Sequence, residues 1–98
     1  MADSATEKYD ITKLDGDNYS AWKFKVRMLL IQKGVWEVVE GTVTDEAKSA
    51  KALALIGLSV QDSQIVHIQG CTSGKDAWEK LSTLYENAGV ANRLHLLN

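Results

Sequence analysis

The stretch Asp15-Gly-Asp-Asn-Tyr-Ser-Ala-Trp-Lys-Phe-Lys-Val-Arg-Met-Leu-Leu-Ile-Gln-Lys-Gly34 decides the fold. Its first four residues form a turn in which Asp17 or Asn18 can accept the orphan amide protons of a helix start. From Tyr19 to about Lys33 the apolar residues recur with a helical period, and Gly34 supplies a left-handed stop. At about 100° per residue, Trp22, Val26, Leu29 and Leu30 share one arc and mark the core side. Phe24, Met28 and Ile31 fall on the opposite side as a second apolar stripe. Such a helix either lies between two neighbours or leaves one stripe for a partner. Both readings stand at this point. In the second, Phe24, Met28 and Ile31, with Lys23 and Arg27 at the rim, meet another copy of the protein.

Working outward, residues 1–10 are polar and expected to be a flexible N-terminus, with one domain over 11–98. Tyr9 to Leu14 reads as a short extended lead-in. After Gly34, a one-turn helix is expected over Val35 to Val39, closed by Gly41. A third helix opens near Thr44, a plausible cap, with Asp45 and Glu46 suited to the positive helix end. Its Ala47, Ala50, Leu53, Ala54, Ile56 and Leu58 point widely around the axis, which predicts a central helix. A short helix follows over about Val60 to Gln69 and stops at Gly70. Ser73 and Asp76 form a capping-box pattern ahead of the cleanest amphipathic helix, Gly74 to Glu86, whose face is Ala77, Trp78, Leu81, Leu84 and Tyr85. A last helix, Val90 to Asn98, is expected to be cut short by the chain end.

The composition agrees with an all-α bundle of five to six short helices. No proline occurs among the 98 residues, and seven glycines are available to end helices. Trp22, Val26, Leu29, Trp36, Trp78, Leu81 and Tyr85 are the expected core anchors, the aromatic ones each removing a large apolar area from water. The formal net charge is −2, whereas a domain that binds nucleic acid by itself needs a basic excess. The lone Cys71 cannot make an internal disulfide and fits a reducing compartment. No run approaches the roughly 18 apolar residues of a membrane span, and the N-terminus lacks a signal peptide's basic and apolar regions.

Tests for chemistry come back empty. A calcium loop counted from Asp15 needs glycine at its sixth position and glutamate at its twelfth, where Ser20 and Val26 stand. His67 and Cys71 have a spacing usable by zinc, but His95 is the only other His or Cys, so no metal site is expected. No nucleophile-elbow or phosphate-loop pattern is found. The basic run Lys23 to Arg27 splits over two helix faces, which favours a solvated surface over a nucleic-acid stripe. Trp22, Trp36 and Trp78 are too irregularly spaced for a three-tryptophan DNA-binding repeat. We expect no enzyme and no cofactor.

Several ordered blocks carry a resemblance. These are Lys13-Leu-Asp-Gly-Asp-Asn-Tyr-Ser-Ala-Trp-Lys-Phe24, Gly34-Val-Trp-Glu-Val-Val-Glu-Gly41 and Lys51-Ala-Leu-Ala-Leu-Ile-Gly-Leu-Ser-Val60. His67-Ile-Gln-Gly-Cys71, Ala77-Trp-Glu-Lys-Leu81, Leu84-Tyr-Glu86 and Asn92-Arg-Leu-His-Leu-Leu97 follow in order. Together they resemble the opening of Gag proteins of copia-type LTR retrotransposons (Pseudoviridae), over about residues 11 to 98. The resemblance implies a bundle like the N-terminal domain of retroviral capsids, which self-associates into virus-like particles around the element's RNA. It implies a following C-terminal capsid lobe as partner, and RNA binding by a zinc knuckle further downstream. It also implies a cytoplasmic location, with a nuclear one left open; no membrane partner is expected, because no apolar run is long enough to span a bilayer. A domesticated host interaction module derived from such a Gag is the alternative.

Overall fold

The computed structural model describes residues 11–87, whose regular secondary structure is helical apart from one isolated bridge. Five α-helices follow one another: α1 Tyr19–Gln32, α2 Trp36–Glu40, α3 Glu46–Leu58, α4 Asp62–Ile68 and α5 Gly74–Ser82. A single π-helical turn, Thr83–Asn87, continues α5. The flexible N-terminus expected over 1–10, with Tyr9 and Asp10 of the lead-in, and the last helix expected from Val90 lie outside the described residues.

Each boundary has a local cause. α1 ends where the Gly34 amide donates back to the Ile31 carbonyl at 3.0 Å. Gly34 (φ +75°) and Gly41 (φ +92°) both adopt the left-handed conformation that costs a Cβ-bearing residue about 1–2 kcal/mol. α5 starts where Ser73 Oγ accepts from the Asp76 amide at 3.0 Å, the expected cap. At α3 the cap is Asp45, not Thr44: the Asp45 carboxylate accepts from the Lys48 amide at 3.0 Å, and an ionised acceptor outcompetes a hydroxyl at the positive helix end. The 15–18 turn also differs from expectation. Asn18 makes no side-chain cap to α1. Instead Asn18 Oδ1 accepts from the Asp15 amide, Asn18 Nδ2 donates to the Lys13 carbonyl, and Asp15 Oδ1 accepts from the Asp17 amide. The polar side chains close the turn on itself.

The lead-in enters the fold through Leu14, which is fully buried. Its amide donates to the Ser59 carbonyl at 3.0 Å, and its carbonyl accepts from the Gln61 amide at 2.9 Å, a parallel bridge to Val60. That pairing holds residues 60 and 61 extended, so α4 begins at Asp62 and not at Val60. The Ser59 carbonyl accepts a second bond, from Trp22 Nε1 at 2.7 Å. One carbonyl thus ties the lead-in, α1 and the α3–α4 connection together, with both lone pairs used.

The core is built around α3 and α5, the most closely packed pair; α2 packs against both, α4 against α5, and α1 lays its buried stripe against α2 and α3. α1 contributes Trp22, Val26, Leu29 and Leu30, all buried. α5 contributes Gly74, Ala77, Trp78 and Leu81. A relay of rings crosses the bundle: Tyr85 stacks on Tyr19, Tyr19 on Trp22 and Trp22 on Trp78, while Trp36 meets Trp78 edge to face. Trp36 and Tyr85 are half-buried members of this relay. α3 is not the all-round apolar helix expected: only Ala52 and Ile56 are buried, and Ala47, Ala50, Ala54 and Leu58 face outward. Alanine is the best helix former and costs little when exposed, so its abundance marks helix propensity here and not burial.

Candidate functional site

α1 presents its second stripe to solvent. Phe24, Met28 and Ile31, spaced i, i+4 and i+7, are 63%, 41% and 46% exposed. Their orientation follows from the first stripe: burying Trp22, Val26 and Leu30 fixes the roll of the helix and turns the opposite arc outward. Of the two arrangements open to a two-striped helix, the described residues adopt the exposed one.

The cations at the rim are held by the protein itself. Lys23 pairs with Glu86 from the π turn and lies 5.8 Å from the Tyr19 ring centroid. Tyr19 donates its hydroxyl proton to the same carboxylate at 2.7 Å. The Arg27 guanidinium lies 5.2 Å from the Trp36 ring centroid, within cation–π range. Lys23 and Arg27 therefore face the π turn and α2, while Lys25, beside Phe24, is exposed. The hydrogen bond from Lys23, then that from Tyr19, holds the Glu86 carboxyl below its ordinary value. Burial, reinforced by Glu86, pushes the Tyr19 phenol well above its ordinary range.

The Tyr19–Lys23–Glu86 cluster escaped the sequence reading. Tyr19 and Lys23 are a visible i, i+4 pair, but Glu86 is 63 residues beyond Lys23, and nothing local announces it. The same holds for Gln64, a buried polar residue whose side-chain carbonyl accepts from the Tyr85 hydroxyl. The π turn carries Tyr85 and Glu86 to these partners, and Leu84 and Tyr85 are only half-buried there.

Two open cavities, each of about 380 Å³, flank the bundle. One lies between α2, the loop 41–45 and the first turns of α3 and α5. The other lies between α4 and the end of α5, lined by Val66, His67, Lys80, Thr83 and Leu84. Among the described residues no three His, Cys, Asp or Glu side chains are grouped so as to hold a metal ion. Burial raises the Cys71 thiol above its ordinary value, away from a reactive thiolate. No described helix is long and apolar enough to cross a membrane.

Fold and surface together define a helical scaffold module whose most distinctive feature is an apolar helix face. The family follows from sequence: residues 26–98 match the family model described as gag-polypeptide of LTR copia-type, and the chain belongs to that family. It is 30% identical over 99 residues, 91% of this chain, to a retrovirus-related Pol polyprotein from transposon TNT 1-94 of Nicotiana tabacum. The chain spans 8% of that polyprotein's length. No solved structure matches it. Its role is accordingly that of a gag-like structural polypeptide.

Proposed function

We propose that this chain is the N-terminal capsid portion of a Gag protein and builds virus-like particles by repeated contacts between copies. The observation that carries the reading is the exposed Phe24, Met28 and Ile31 stripe on a member of the gag family. Apolar side chains grouped on one helix face gain free energy by leaving water, at roughly 25 cal/mol per Å² buried. A single helix-face contact is weak, but a closed shell repeats it many times, so modest interfaces suffice. The net charge of −2 supports a reading in which RNA is bound by other segments of the Gag, with a C-terminal capsid lobe as the expected covalent neighbour. The particles would assemble in the cytoplasm around the element's RNA.

Phe24→Asp combined with Met28→Asp, placed in the whole Gag, should abolish particles in electron micrographs of expressing cells. The same double variant of this chain should keep its helical circular dichroism, because both positions are solvent-facing. Normal particles from the folded double variant would refute the assignment.

A further inference from the structure

Resting on that self-association, we propose that the α1 stripe docks into the cavity beside α2 and the loop 41–45 of a second copy, a knob-and-socket contact instead of α1 against α1. The socket is lined by Val38, Val43, Thr44, Asp45, Glu46 and Lys75, among others, and no α1 residue belongs to its lining. Among the described residues it is open to solvent. Val43 is 42% exposed there, an apolar floor awaiting cover.

Charge selects this pairing over its rivals. α1 carries Lys23, Lys25 and Arg27 and no acid; Lys23 is paired with Glu86, so the exposed Lys25 beside Phe24 is the cation that the stripe itself presents. The socket's lining carries the acids Asp45 and Glu46, and Glu37 and Glu40 lie on α2, the helix that supplies its Val38. Lys75, which enters the socket from α5, is paired with Glu79 at 2.7 Å. An α1–α1 contact would set like charges against each other around Phe24, which costs affinity. The second cavity has the same volume but carries Lys80 and His67 and no acid in its lining, so it mismatches α1. Of these two cavities, the first offers apolar surface and opposite charge together. Because knob and socket are different patches of one chain, a head-to-tail arrangement of this contact is heterologous and propagates into rings or lattices, the connectivity that a shell needs.

Complementation tests it. A knob-defective chain carries Phe24→Asp and Met28→Asp, and a socket-defective chain carries Val43→Asp and Glu46→Lys. Circular dichroism matching the parent's qualifies each as folded, and Lys25→Glu and Glu40→Lys serve as gentler counterparts. The parent should show concentration-dependent amide shifts up to about 1 mM, and each variant alone should lose them. Mixing the two should restore association, stopping at a one-to-one dimer by sedimentation, with shifts in the labelled knob-defective chain centred on residues 38–46. If the socket-defective chain associates like the parent, or mixing restores nothing, knob-and-socket docking is wrong while self-association stands. A parent chain with no concentration dependence would instead sink the self-association reading.

Discussion

Gly74 and Glu86 show how much single positions decide. A Cβ at Gly74 would lie 2.6 Å from Ala52 Cβ and 3.2 Å from the Leu53 amide nitrogen and the Ser49 carbonyl. The first turn of α5 thus packs directly on α3, and the Gly74 amide donates to Ser49 Oγ at 3.2 Å. Gly74→Ala should lower unfolding free energy by about 1–3 kcal/mol through overpacking, against the gain in helix propensity that alanine usually brings. Urea titration checks the sign. Glu86 makes a different prediction. Its folded carboxyl is held below the usual 4.5, so its contribution is present above that pH and is lost as pH falls through the lower folded value. Lys23 and Glu86 side chains are 36% and 42% exposed, which limits the pair to at most about 1 kcal/mol. Glu86→Gln should therefore cost little at neutral pH and flatten the acid limb of a stability–pH profile below about pH 4.5. An unchanged acid limb would mean that the pair contributes nothing in solution.

Among the elements, the lead-in matters out of proportion to its length. Leu14 is fully buried and bridged to the α3–α4 connection by two backbone hydrogen bonds, so it closes one end of the core as a helix would. Leu14→Ala should destabilise by about 2–5 kcal/mol, the range for truncating a buried leucine. Chemical denaturation measures this directly; a loss under 1 kcal/mol would mean that the lead-in detaches without consequence. The helices themselves were largely legible. α1, α2 and α5 begin and end within a residue or so of their sequence-predicted positions, apart from the π turn, because caps and glycines are local signals. α4 starts later than expected because Val60 and Gln61 are held by the distant Leu14. The exposed alanines of α3 were misleading for a similar reason: which alanines are covered depends on neighbours, not on spacing.

At the scale of the whole molecule, the ring relay Tyr85–Tyr19–Trp22–Trp78–Trp36 links α1, α2, α5 and the π turn. A core shared by so many elements should unfold as one unit. Tryptophan fluorescence and far-ultraviolet circular dichroism should report coincident urea transitions, and separated midpoints would show that α2 or α4 melts independently. The outward turn of Phe24, Met28 and Ile31 is also a whole-molecule property. Periodicity separated the two stripes, but both arrangements of the second one satisfied it. The packing of α2 and α3 against the first stripe, with Trp22 stacked on Trp78 of α5, decided between them.

The amino-acid sequence by itself determined the helical class, most helix ends, the apolar faces of α1 and α5, and the gag family, since caps, periods and ordered motif blocks are all encoded over short separations. Tertiary structure alone decided the Ser59 carbonyl junction, the Tyr19–Lys23–Glu86 cluster, the close approach of Gly74 to Ala52, and which α1 stripe meets water. Each of these joins residues far apart in the chain, and such contacts are selected by the packing of the finished core, which no local pattern records.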